Sequence, residues 1–218
     1  DTSDEWIFTR TGIKSRHVCT TESLDDLAVA ASERALQVSG IDASQLDLIV
    51  CSTTTGDHLV PAEACAVAER LGATCPAFDV SAACAGFVFA LDVAEGYIAR
   101  SRAERVLVVA AEQMTRALDW TDRATCVLFG DGAGAVVLEA AEGAGTAADQ
   151  GILATDLNSD GRYRDLLYVD GGVASTGTAG HLRMQGNLVF RHAVEKLAEQ
   201  LIGNVEAFLR GAPRNVVV

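Results

Sequence analysis

The spacing of apolar residues along this chain changes period several times, and each change predicts an element. Leu24, Leu27, Ala28, Ala31, Ala35 and Val38 recur at three- and four-residue intervals, which places them on one stripe of an α-helix. Ser23 precedes the stripe with an acid, Asp26, three residues on, the pattern of a capping box, and Gly40 ends it. Leu46-Asp47-Leu48-Ile49-Val50-Cys51 is a β-rich apolar run and predicts a buried strand. A loop holding Thr53, Thr54, Thr55 and Gly56 follows, and a second helix is expected with Pro61 in its first turn and a stop near Gly72. Ala77 to Val80 reads as a short strand that runs through small residues into a helix over 85–100. Arg105 to Ala111 is another buried strand. Strands and helices alternating with short links predict a parallel sheet with crossover helices.

The pattern is less regular elsewhere. Residues 1–22 are polar and irregular. Thr125–Phe129 and Gly134–Leu138 read as strands bracketing Gly130, Gly132 and Gly134. No Gly-Lys-Ser/Thr follows these glycines, so they form no phosphate-binding loop. They lead into a β-rich run rather than a helix, which excludes a dinucleotide fingerprint. They are read as a tight bend and a close backbone approach. Residues 141–150 form a loose connection, Ile152–Leu157 a further strand, and 158–180 a cap or loop segment. From Asn187 a helix places Phe190, Val194, Leu197 and Leu201 on one side.

Composition narrows the function classes. The 218 residues are 49% hydrophobic, enough for a sizeable core in one or two domains. A formal charge of −13 argues against a nucleic-acid surface, and it sits awkwardly with an acidic protein partner unless a local basic patch exists. The cysteines at 19, 51, 65, 75, 84 and 126 show no C-x-x-C pair, so neither a zinc site nor a redox motif is expected. Scattered cysteines without a signal peptide predict reduced thiols and a cytoplasmic protein, and no apolar run predicts a membrane span. The chain begins at Asp1 without a methionine and is expected to be part of something longer.

Three positions carry candidate chemistry. Cys84 lies at the strand-to-helix corner Ala77-Phe78-Asp79-Val80-Ser81-Ala82-Ala83-Cys84-Ala85-Gly86-Phe87. Unpaired amides and the helix dipole concentrate positive potential there, an environment that lowers a thiol pKa and favours a nucleophilic thiolate. The small neighbours would let a substrate carbonyl approach the sulfur. A buried structural cysteine in an alanine-rich core fits the same local pattern. Trp6, with Arg10 close in sequence, either sandwiches a flat aromatic ligand or anchors the amino-terminal segment. His58 is either a base or a solvated loop residue.

Asp79 to Phe87 resembles the nucleophile motif of the β-ketoacyl-acyl-carrier-protein synthase III family, thiolase-fold condensing enzymes. Thr2-Ser3-Asp4-Glu5-Trp6-Ile7 with Arg10-Thr11-Gly12-Ile13 resembles that family's coenzyme A segment, Phe129 to Ala135 its glycine-rich strand pair, and His181 to Asn187 a later stretch. The likeness runs in order from residue 1 to about residue 200. It implies a thiolase-like α/β fold, a mixed but mostly parallel sheet with helices on both faces, whose second half is incomplete. Residues 1–160 would be the first half and 161–218 a cap segment and the start of the second.

By the same resemblance, Cys84 would take an acyl group from a short acyl-coenzyme A. A malonyl thioester on acyl-carrier protein would then lose carbon dioxide and attack that group, starting fatty-acid synthesis. Trp6 and Arg123 would stack the adenine, Arg10 and Thr11 hold the nucleotide, and Met184, Gly186 and Asn187 also bind coenzyme A. Val60, reaching across a homodimer, and Phe87 would line the acyl pocket. The resemblance implies no cofactor, metal, nucleic acid or membrane. Alternatives are acyl transfer in secondary metabolism and a non-catalytic half. The family's His-Gln-Ala-Asn motif, the later asparagine and the glycine-rich oxyanion loop are absent from this sequence, and His17, His181 and His192 do not match the expected histidine. Asn204 to Val217 is instead weakly similar to the tail of a 2-hydroxyacid dehydrogenase, without a nucleotide fingerprint.

Overall fold

The computed structural model describes residues 2–143 and 150–209. In chain order the elements are α1 (Asp4–Thr11), α2 (Leu24–Ser39), β1 (Leu48–Ser52), α3 (Glu63–Leu71), β2 (Ala77–Val80), α4 (Gly86–Ala99), β3 (Arg105–Gln113), β4 (Asp131–Glu139), β5 (Leu167–Val169), β6 (Leu182–Met184) and α5 (Gly186–Leu209). They group into two compact units. Among the described residues, one holds 20–112, 132–143 and 150–157, the other 2–19, 113–131 and 158–209.

The first unit is built on a four-stranded sheet of order β2-β1-β3-β4. β1 is central and pairs in parallel with β2 (Val50 opposite Phe78) and with β3 (Val50 opposite Val108). Arg105 at the start of β3 bonds Glu139 at the end of β4 at 2.8 Å, so β4 runs back against β3 and the sheet is mixed. Every residue of β1 is buried, as an unbroken apolar run requires of a strand covered on both faces. Ile49, Cys51, Leu107 and Val109 meet Leu24, Ala28, Val29 and Leu36 of α2 and Val67 of α3 on one face. Leu48, Val50, Val106 and Val108 meet Ala90, Ala94 and Ile98 of α4 on the other.

α2 begins with the expected capping box: Ser23 accepts from the Asp26 amide and Asp26 accepts from the Ser23 amide. Its buried stripe is rotated from the expected one. Leu36 faces the core, whereas Val38 is 83% exposed. α3 starts at Glu63, two residues later than expected, because Ala62 is extended (φ −61°, ψ 144°) and caps the helix, leaving Pro61 outside it. Residues 153–157 form no strand, correcting the expectation for Ile152–Leu157.

In the second unit, residues 4–11 are helical rather than irregular. Ser3 accepts from the Trp6 amide, Asp4 and Glu5 sit in the first turn, and left-handed Gly12 closes the helix. Thr125–Leu128 is a run of turns and Phe129 is irregular, so this stretch is not a strand: the Cys126 amide bonds the Asp122 carbonyl and the Leu128 amide the Thr125 carbonyl. Of the three glycines, Gly130 makes the close approach, since a Cβ there would lie 3.1 Å from the His17 carbonyl oxygen, whereas 132 and 134 are strand residues in open space. Ile7, Leu118, Cys126, Val127 and Leu182 form this unit's core. The segment expected as a loop over 158–180 carries β5, which pairs antiparallel with β6 (Tyr168 opposite Arg183). Phe190, Val194 and Leu197 of α5 are exposed, and Leu201, residues 144–149 and the tail from Arg210 lie outside the described side chains.

Candidate active site

In an open α/β sheet, ligands gather at the carboxyl ends of the parallel strands. At that end of β2 the chain leaves Val80, crosses Ser81 and Ala82, and makes a single 3-10 turn over Ala83–Ala85 before α4. Cys84 is in that turn and is exposed, which removes the buried structural reading of its thiol. Ala83 has φ +48°, a left-handed value that a residue with a Cβ adopts only when its surroundings impose it. Two contacts fix the chain on either side of it. The Thr53 amide bonds the Val80 carbonyl at 3.3 Å, fixing where β2 ends. A Cβ on Gly86 would overlap Ser52 Oγ, so the start of α4 lies directly on the end of β1. The thiol is thereby presented on a sharp corner. No side chain caps α4, in contrast to α1 and α2, so its first-turn amides take no side-chain partner beside the sulfur.

The threonine loop after β1 is tied to β3. Glu112 accepts from the Thr54 amide at 2.8 Å and from the hydroxyls of Thr54 and Thr55. Glu112 thus braces the loop whose Thr53 amide holds β2. Asp79 of β2 accepts from the Glu63 and Ala64 amides at 2.7 and 2.8 Å and supplies the cap that α3 lacks locally. Sequence spacing could not reveal Glu112, Ser52 or Asp79, because each acts on a partner distant along the chain. The Cys51 thiol, one residue before Ser52, is kept protonated by burial and then by the Asp79 carboxylate. Phe87 is half-buried and packs on the α4 face of the sheet. Val60 is 78% exposed beside Leu59 at 77%, an apolar pair on the loop before α3. His58 is exposed on the same loop.

The other proposed residues lie in the second unit. Arg10 stacks on Trp6 with its guanidinium carbon 4.4 Å from the ring centroid, one turn apart on α1. Trp6 remains 39% exposed, leaving indole surface open. Thr11 donates its hydroxyl to the Ile7 carbonyl at 2.7 Å and accepts from the Ile13 amide. Arg123 donates to the Thr2 hydroxyl and to its carbonyl, so it is tethered to the segment entering α1. Met184 ends β6, and Gly186 and Asn187 open α5, with the Met184 methyl 3.3 Å from where a Gly186 Cβ would be. His192 stacks on Tyr163 at 4.1 Å between ring centroids. Asp131 is a structural hub that the sequence reading missed. It accepts from the Cys19 amide, the Thr115 amide and the Thr115 hydroxyl at 2.8, 2.9 and 2.6 Å.

Residues 78–161 match the family model for 3-oxoacyl-[acyl-carrier-protein] synthase III. Over 201 residues the chain is 61% identical to the β-ketoacyl-[acyl-carrier-protein] synthases III of Paracoccus denitrificans and Rhodobacter capsulatus, covering 91% of this chain and 62% of each relative. Over nine tenths of its length the chain is similar to β-ketoacyl-acyl-carrier-protein synthases III. It spans about three fifths of the length of these curated relatives. The solved synthase III of Pseudomonas aeruginosa superposes with a TM-score of 0.86 at 39% identity, over 95% of this chain and 63% of that one. The priming β-ketosynthase of the R1128 polyketide pathway gives 0.80 at 38%, over 90% and 59%. The thiolase-like architecture of the synthase III family is therefore the fold of this chain.

Proposed function

We propose that the full-length protein is an acyltransferase of the synthase III type, with Cys84 as its nucleophile. The observation that carries this is the exposed Cys84 on a left-handed corner at the end of β2, beside an α4 start that takes no side-chain cap. In the acylation step the Cys84 thiolate adds to the thioester carbonyl of a short acyl-coenzyme A. The oxyanion forms next to the first-turn amides, and coenzyme A thiolate leaves and is protonated. A malonyl group on acyl-carrier protein then loses carbon dioxide. The resulting enolate carbon attacks the acyl-cysteine carbonyl, releasing Cys84 and a 3-oxoacyl product. The donors that stabilise that enolate belong to family positions that this sequence does not contain.

Trp6 and Arg123 are proposed to clamp the adenine, with Arg10, Thr11, Met184, Gly186 and Asn187 around the rest of coenzyme A. The open indole face and the tethered Arg123 support this. Val60 and Phe87 are proposed for the acyl pocket, and the exposed Leu59–Val60 pair supports a homodimer. Residues 1–160 are read as the first thiolase-like half, and 161–218 as a cap and the start of the second. A cytoplasmic location is part of the same proposal. Among the described residues no helix is long and apolar enough to cross a membrane.

Peptide mass mapping of the full-length protein after exposure to acetyl-coenzyme A tests the reading. The acyl group is expected on Cys84, and label on Cys51, Cys65 or Cys126 with Cys84 untouched would overturn it. A secondary-metabolic role is the second reading, favoured by the likeness to a priming ketosynthase of a polyketide pathway. Identification of the product separates the two.

A further inference from the structure

A cluster away from Cys84 joins three acids. Asp25 is in the first turn of α2, Asp57 is on the loop after the threonines, and Glu63 opens α3. One carboxylate oxygen from each lies within 4.8 Å of the others. Asp57 is fully engaged: its two oxygens accept from the Leu24 and Asp25 amides, both at 3.1 Å, and its own amide donates to Glu63 Oε2 at 3.0 Å. The loop is thus bound to the starts of both helices through Asp57. Two of the other oxygens, Asp25 Oδ1 and Glu63 Oε1, are buried and have no donor, and the Glu63 side chain belongs to a residue only 4% exposed.

Two buried acceptors facing an acid cluster without a donor call for a proton or a cation. Charge decides between them. The cluster sits at the amino-terminal ends of α2 and α3, each equivalent to about half a positive charge. Together they offset roughly one of the three negative charges, and they disfavour a metal ion at the same place. One proton shared between two facing carboxyls removes a second charge and gives both orphaned oxygens a partner. We propose that Asp25 and Glu63 share a single proton, and that this proton latches the 53–61 loop onto α2 and α3.

The neighbours of Glu63 support this. Burial, then the facing Asp25, pushes its carboxyl up to about 8, with Asp57 acting in the same direction and the Asp57 amide opposing. From β2, Asp79 holds the Glu63 and Ala64 amides. From β1, Cys51 presents a thiol kept neutral, on which Asp79, Glu63, Glu112 of β3 and Asp25 all act. Arg70 of α3 is engaged with Asp26 at 2.8 Å. Loss of the shared proton at alkaline pH leaves the Asp25 and Glu63 carboxylates facing one another, and the loop bearing His58, Leu59 and Val60 is released.

The test reads protons and amides rather than turnover, so it is independent of the acyltransferase reading. In the full-length protein, infrared spectroscopy at neutral pH should show a protonated-carboxyl band that Glu63→Gln removes and that fades above about pH 8. Hydrogen exchange at the Leu24, Asp25 and Asp57 amides, corrected for its intrinsic pH dependence, should quicken about tenfold or more between neutral pH and pH 9. It should stay flat in Glu63→Gln, whose amide donates to Asp25 without titrating. Asp25→Asn provides the same neutral pairing should Glu63→Gln not fold. A missing band, or exchange in the wild type that ignores pH, would overturn the proposal. So would calcium or magnesium raising the melting temperature of the wild type but not of Glu63→Gln, which would mark a cation site.

Discussion

Gly86→Ala is the sharpest test of how the Cys84 corner is held. The added Cβ would fall under 3.0 Å from Ser52 Oγ, closer than side chains pack, but 3.4 Å from Ser52 Cβ, an ordinary contact. Ser52 is buried at the end of the fully buried β1, so its hydroxyl can escape only by turning into packed surroundings. Otherwise the start of α4 moves, and the turn bearing Cys84 moves with it. Overpacking of this kind costs about 1–3 kcal/mol. The intrinsic gain of alanine over glycine in a helix, up to about 1 kcal/mol, offsets part of it. The net loss should be about 1–2 kcal/mol, a drop of a few degrees in melting temperature. The rate at which iodoacetamide alkylates Cys84 should change in the same variant. Ser52→Ala removes the atom that clashes and keeps the Cβ, so the double variant should recover both stability and alkylation rate. A Gly86→Ala protein that matches the wild type in both measurements would refute the reasoning. So would a double variant no better than the single, since the strain would then not lie between these two residues.

Asp131→Ala would strip three donors of their buried acceptor and should cost about 2–4 kcal/mol in chemical denaturation, with Asp131→Asn milder. Trp6→Ala should weaken coenzyme A binding about tenfold by calorimetry, as loss of a stacking face typically does, while the alkylation rate of Cys84 is unchanged. Val60→Phe should shorten the acyl primers accepted in a competition assay, because packed pockets absorb added volume poorly. The raised Glu63 carboxyl gives a pH dependence of definite sign. Its folded value, about 8, exceeds the ordinary 4.5, so the folded protein holds the extra proton. That stabilisation is complete below about pH 4.5 and is lost as pH rises through about 8. Melting temperature followed across this range should fall less steeply in Glu63→Gln than in the wild type.

What the sequence disclosed was what local patterning controls. β1 and β3 were legible as apolar runs, α2 from its own capping box, and the corner at Cys84 from a short strand meeting small residues. Failures came where distant residues decide. The first residues were read as irregular, although Ser3 caps them into α1, because polar composition hid a short helix with little apolar face. Thr125–Phe129 has β-rich composition, but Thr125–Leu128 is held in turns by the Asp122 carbonyl and its neighbours. Pro61 has the composition of a first-turn residue, but the extended Ala62 after it is the cap, so Pro61 lies outside the helix. The Cys84 position was visible from sequence. Ser52, Thr53 and Glu112, which hold it, were not, because no spacing rule links them to it.

The cap on α3 bears on the order in which the chain folds. α2 carries its own box and can begin to form from contacts three residues apart. α3 depends on Asp79, fifteen and sixteen residues further on, so its first turn is complete only after β2 has joined β1. The same strand leads into the corner at Cys84. Consolidation of α3 and delivery of Cys84 are therefore expected in one late kinetic step rather than two. Weakening the Asp79 cap should show mainly as faster unfolding, while loss of the Ser23 cap should show in the folding rate.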